Sequence, residues 1–73
     1  MNFIVKNTLT NSAKKISCDR AELLLRIESI FHVQREQYIL QEKDEETSEY
    51  IDVDCLDMIE GKVLQIIPRV ENP

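Results

Sequence analysis

Cysteine is too scarce in this sequence to hold a fold together. Cys18 and Cys55 are the only two, and their spacing fits no CxxC metal pattern. They read as free, mostly buried thiols used as small apolar residues; a bridge between them would need Cα atoms within about 7 Å. Glycine is scarcer still. Gly61 stands alone, so the acidic stretch before it lacks the glycine of an EF-hand loop, and no metal site is expected there. No run approaches the roughly 18 apolar residues of a membrane span, and Met1 leads straight into a strand-like segment instead of a signal peptide. The expectation is an intracellular protein, cytoplasmic or nuclear, without membrane insertion. His32 is the only histidine and falls at the end of a predicted helix, where it reads as a surface residue. A cysteine–histidine pair would need hydrogen-bond range and an oxyanion site, and 73 residues leave little room for a cleft. Neither enzymatic activity nor a cofactor is expected.

Charge is plentiful but uneven. Residues 1–41 carry six basic and four acidic groups, a net +2, while residues 42–73 carry three basic and ten acidic groups, a net −7. An acidic chain without a basic stripe is a poor nucleic-acid binder. The polarity suits a basic partner instead, or a second copy docked head to tail. An apolar content of 42% beside 32% charged residues argues for a folded chain over a disordered one.

The stretch Asp19–His32 organises the rest. At about 100° per residue, Leu23, Leu24, Ile27, Ile30 and Phe31 share an arc of roughly 120°, which predicts one amphipathic helix with one face to bury. Asp19 and Glu22 have capping-box spacing. Leu25 falls on the polar side and reads as covering a rim of the sheet, the alternative being a second small contact surface. Around the helix the pattern alternates. Asn2–Leu9 sends Phe3 and Val5 to one face and Ile4 and Lys6 to the other; Thr10-Asn11-Ser12 has turn chemistry; Lys14–Cys18 returns with Ile16 inward. Gln37–Glu42 is a third strand with Tyr38 and Leu40 opposed to Ile39 and Gln41, and Tyr50–Val53 a short fourth. A helical turn is expected at Cys55–Ile59, closed by a left-handed Gly61. Val63–Ile67 is the last strand, with Pro68 ending its ladder on one side. The predicted class is α+β, a mixed sheet of four to five strands packed on one main helix, with residues 1–70 as the domain and 71–73 as a tail.

Strand, strand, helix, strand, short strand, turn, strand is the order of the β-grasp. The opening Met1-Asn2-Phe3-Ile4-Val5-Lys6 with Thr8-Leu9-Thr10, and the closing Val63-Leu64-Gln65-Ile66-Ile67-Pro68-Arg69, resemble the first and last strands of the ubiquitin-like superfamily, with one residue inserted near Asn7. The resemblance spans nearly the whole chain on scattered identities. It implies a protein-interaction module, forming part of a larger protein, that binds through an apolar patch on the open sheet face: Leu9, Ile39, Gln65 and Ile67. The alternation of the strands sends Ile39 and Ile67 to that face independently. The chain ends Arg69-Val70-Glu71-Asn72-Pro73 without the family's Gly-Gly, so the resemblance implies a non-covalent role, the alternative being a modifier lacking its processed terminus.

Two charged surfaces offer other readings of the same resemblance. The acidic run Asp44, Glu45, Glu46, continuing to Glu49, Asp52, Asp54 and Asp57, is similar to the acidic motif of Phox-and-Bem-type domains but lacks its glycine; Lys6, Lys14 and Lys15 would form the opposite pole. The edge of the second strand, with Lys14, Lys15, Arg20 and Arg26 facing outward from it, is also similar to the partner-binding edge of Ras-association-type domains, which implies a small GTPase as partner. The plainer readings are a solvated loop and a lysine-protected edge strand.

Overall fold

Period-two alternation builds the sheet as expected. The computed structural model describes residues 1–69. In β1 (Asn2–Asn7) Phe3, Val5 and Asn7 are buried while Ile4 and Lys6 are exposed. The chain turns at Thr8–Asn11, with Asn11 at φ 59°, a left-handed value that asparagine tolerates. It returns antiparallel as β2 (Ser12–Ser17), setting Ile16 opposite Phe3. Beyond the helix come β3 (Tyr38–Lys43), β4 (Tyr50–Asp52) and β5 (Val63–Pro68). The order across the sheet is β2-β1-β5-β3-β4. β1 and β5 run parallel, and the other neighbours pair antiparallel. The protein is thus α+β: a five-stranded mixed sheet with one α-helix. The proposed boundary at Val70 and the tail 71–73 lie outside the described residues.

The predicted helix is split in two. Arg20–Glu22 forms a 3-10 turn and α1 is Leu23–Phe31. No capping box forms at Asp19: its side chain caps nothing, and its carbonyl accepts the Glu22 N–H at 3.0 Å to close the 3-10 turn. α1 ends with His32 at φ 56° and ψ 46°. The His32 and Val33 N–H groups both donate to the Glu28 carbonyl, so the left-handed residue satisfies a helix end. Gly61, where the sequence predicts a left-handed residue, has no positive φ. Its N–H donates to Glu42 Oε1, the flexible end of a side chain that would have to shift to admit a Cβ at position 61.

Burial follows the axis Leu23, Ile27, Phe31 along α1, at i, i+4 and i+8. Leu23 and Ile27 are fully buried, and Leu24 and Phe31 pack against the core from positions partly open to water. Two helix expectations fail. Ile30 lies on the flank of that axis and is 38% exposed; Leu25, expected against the sheet, is 64% exposed. The core joins Leu23 and Ile27 to Phe3, Val5, Ile16, Tyr38, Leu40, Ile59, Leu64 and Ile66. Both cysteines are free, but neither is fully buried: Cys18 is partly covered and Cys55 exposed, because Cys55 precedes the 3-10 turn Leu56–Met58 at the surface. Pro68 ends the ladder on one side, as expected: pairing with β1 stops at Ile66, while pairing with β3 continues. It stands opposite Tyr38, and the next N–H, of Arg69, donates to the Gln37 carbonyl at 2.9 Å.

One polar tie fastens the helix to the sheet. The Tyr38 hydroxyl donates to Glu28 Oε2 at 2.9 Å, and Arg35 Nε donates to the same oxygen at 3.3 Å. Arg35 belongs to a 3-10 turn, Arg35–Gln37, whose entry is set by paired bonds: Gln34 N–H to Gln37 Oε1 and Gln37 N–H to the Gln34 carbonyl, each 2.9 Å.

Candidate functional site

The helix covers one face of the sheet, and alternation defines what the other displays. Because Phe3, Val5, Ile16, Tyr38, Leu40, Leu64 and Ile66 point into the core, the open face carries Ile4, Lys6, Lys15, Ile39, Gln41, Lys43, Val63, Gln65 and Ile67. The strand registers arrange these in rows. Ile39 stands opposite Ile67 across β3 and β5, forming one apolar pair. Ile4 stands beside Val63 across β1 and β5, forming a second, with the two residues 42% and 39% exposed. Between the pairs runs a polar row. Lys6 neighbours Gln65, Gln65 neighbours Gln41, and Gln41 neighbours Asp52. Gln65 Nε2 donates to Gln41 Oε1 and Gln41 Nε2 donates to Asp52 Oδ1, each at 2.7 Å. These bonds tie three strands together and hold both amides in one orientation.

The predicted patch is therefore present in part and divided. Ile39 and Ile67 meet, while Gln65 belongs to the polar row one step along the strand. Leu9 sits in the turn after β1, 75% exposed. The turn is held beside β5 by Thr8, whose N–H and Oγ1 both donate to the Ile66 carbonyl at 3.1 and 3.0 Å. Leu9 is thus at the same end of the sheet as Ile39 and Ile67. Sequence reading missed Gln41 as the hub of the relay and the Ile4·Val63 pair as a second apolar element. Both sets of residues have the right alternation, but their juxtaposition depends on register between strands distant in the chain.

The charged surfaces separate. Lys6 and Lys15 lie on the open face; Lys14, opposite Val5 on the edge strand β2, has the parity of the helix side. Open-face strand residues include three lysines, Lys6, Lys15 and Lys43, against one carboxylate, Asp52, although the whole chain is at −5. Among the described residues the ion pairs are Arg26–Glu22 and Arg35–Glu28, which leaves those three lysines unengaged. Asp44 organises its own loop: Oδ2 accepts from Thr47 Oγ1 at 2.8 Å, its carbonyl accepts the Ser48 N–H at 2.8 Å, and its N–H donates to the Glu49 carbonyl at 2.7 Å. Glu45, Glu46 and Asp54 are exposed.

A shallow groove of about 620 Å³ opens near β4, lined by Ile51, Met58 and the 42–46 segment. Glu42 closes one side of it, accepting the Glu60 N–H at 3.0 Å and the Gly61 N–H as well. Among the described residues no cluster of three or more histidine, cysteine or acidic side chains is disposed to hold a metal ion. No described helix is long and apolar enough to cross a membrane. Burial pushes the Cys18 thiol above its ordinary range, with Arg26 opposing the shift, so little of it is thiolate at neutral pH. His32 is committed through its backbone to the helix cap. The open face displays aliphatic surface, amides hydrogen-bonded in a row, and ammonium groups outside the ion pairs of the described residues. No family model, curated protein or solved structure matches the chain.

Proposed function

We propose that the chain is a ubiquitin-like β-grasp domain acting as a non-covalent protein-binding module through the open face of its sheet. The sheet order, with a central parallel pair and one helix crossing one face, is compatible with that fold. The observation that carries the functional reading is the uncovered face itself, where Ile39·Ile67 and Ile4·Val63 flank a hydrogen-bonded polar row. Small, transient interfaces mix aliphatic and hydrogen-bonded polar surface in about the proportions of the rest of the protein surface, and this face offers both. A second reading rests on charge. β2, with Lys14 and Lys15, and β4, beside the Asp44–Glu46 loop, are the two opposite edges of one sheet, a disposition suited to head-to-tail self-association or to a basic or acidic partner at either edge.

One capture experiment separates the two. With the immobilised chain as bait, Ile39→Ala combined with Ile67→Ala abolishes specific retention while the melting temperature stays within a few degrees of wild type, and Lys14→Glu with Lys15→Glu retains it. The reverse pattern would replace the open face by the charged edge. Loss of fold in the isoleucine variant would show that those side chains stabilise the sheet, and Ile39→Ser alone then repeats the comparison.

A further inference from the structure

One edge of the sheet is left open on the far side from β2. β4 is a terminal strand, paired to β3 alone. The ladder between them is closed at its ends by the Val53 N–H donating to the Leu40 carbonyl at 2.9 Å and the Asp44 N–H donating to the Glu49 carbonyl at 2.7 Å. Bonded and non-bonded pairs alternate along an antiparallel ladder, so Ile51 takes the intervening bonded pair with Glu42, and the N–H and C=O groups of Tyr50 and Asp52 turn to the free edge. Neither residue's backbone bonds anything outside the sheet among the described residues. Ile51, opposite Glu42, has the parity of the helix side; it and Met58, both more than half exposed, line the groove beside β4. Six carboxylates line the same groove against one cation, Lys43.

We propose that β4 is a second docking surface, separate from the open face, which takes an extended basic segment of another protein as an added antiparallel strand. Pairing satisfies the free groups of Tyr50 and Asp52, and alternation then fixes the side chains. The residue facing Ile51 is aliphatic and enters the groove beside Met58, while those facing Asp52 and Glu49 are lysine or arginine. Other occupants fit less well. A helix leaves the edge groups unpaired, and the β4 of a second copy is repelled by its own carboxylates. The β2 of a second copy carries Lys14 and Lys15, but its one large aliphatic residue, Ile16, is buried and has nothing to set beside Ile51.

The probe is a fluorescently labelled peptide with the core Lys-Val-Thr-Lys between threonine flanks, titrated into the 73-residue chain at low salt with anisotropy as readout. Its first lysine faces Asp52, its valine Ile51 and its last lysine Glu49. Saturable binding is expected, weakened at least tenfold by Ile51→Lys and at least threefold by Met58→Ser; both side chains are exposed, so the fold is retained. N-methylation of the first lysine's amide keeps its charge, removes the N–H aimed at β4 and abolishes binding. The same change on the valine, whose N–H points away from β4, leaves binding intact. In the complex the Ile51 methyl resonance shifts, and those of Ile4 and Ile67 stay in place. No saturable binding, or binding indifferent to Ile51 and to which amide is methylated, overturns the inference. So does concentration-dependent self-association that Ile51→Lys removes and the peptide does not compete with, since a second copy would then be the occupant. The capture experiment reads Ile39 and Ile67, so failure here leaves the open-face reading standing, and failure there leaves this one.

Discussion

Phe3→Ala leaves the protein largely unfolded at room temperature. Phe3 is fully buried at the meeting of β1, the facing Ile16 of β2, and the helix-side core. Truncating a buried phenylalanine costs about 3–5 kcal/mol through lost transfer energy and the cavity left behind. A chain of this length has roughly 4–11 kcal/mol in total, at about 0.05–0.15 kcal/mol per residue, and a small domain tends to the lower end. Urea titration followed by far-ultraviolet circular dichroism measures the loss directly. A midpoint displaced by the equivalent of less than about 1 kcal/mol would show that the core is organised elsewhere.

Tyr38→Phe costs less and reveals more about the helix. The phenol is the sheet's polar hold on α1, donating to a Glu28 carboxylate that Arg35 also contacts. A hydrogen bond to a charged acceptor is worth about 1.5–3 kcal/mol, so a loss near 2 kcal/mol is expected, with the ring's packing retained. The same bond predicts a pH dependence. Burial, then the Glu28 hydrogen bond, push the Tyr38 phenol well above the ordinary tyrosine range. In the unfolded chain a phenol ionises near pH 10. Above that pH the folded state keeps a proton that the unfolded state has lost. The associated stability is therefore complete below about pH 10 and is lost as pH rises toward the folded pKa. Alkaline unfolding curves of wild type and Tyr38→Phe should converge above pH 10. Parallel curves would mean that the hydroxyl is not held as described.

The alternation of Phe3/Val5 against Ile4/Lys6 and of Tyr38/Leu40 against Ile39/Gln41 was legible because a strand has a period of two and one face is buried. Element order followed from the turns and the single apolar helix. The caps were less legible. Asp19 and Glu22 have the spacing of a capping box, yet a 3-10 turn consumes those residues before α1 starts. The left-handed position went to His32, in a conformation adopted to close a helix, and not to the only glycine. Such choices are made by tertiary packing around the helix ends, to which local propensity is blind. The candidate site divides in the same way. Which residues face outward is a local property, so Ile39, Ile67 and Lys6 were within reach of the sequence. Which of them touch is a matter of register between β1, β3 and β5, separated by most of the chain. That is why the Gln65–Gln41–Asp52 relay and the Ile4·Val63 pair emerge only from the folded structure.

Nine isoleucines sample nearly every surface of the protein, and their methyl resonances give the most direct test of the open-face account. Ile4, Ile39 and Ile67 report on the open face, Ile51 on the groove beside β4, Ile30 on the helix flank, and Ile16, Ile27, Ile59 and Ile66 on the core. Titrating methyl-labelled protein with the captured partner should shift Ile4, Ile39 and Ile67 and leave Ile51 and Ile30 in place. Shifts concentrated at Ile51, with those three unmoved, would contradict the account and move the binding surface to the acidic groove.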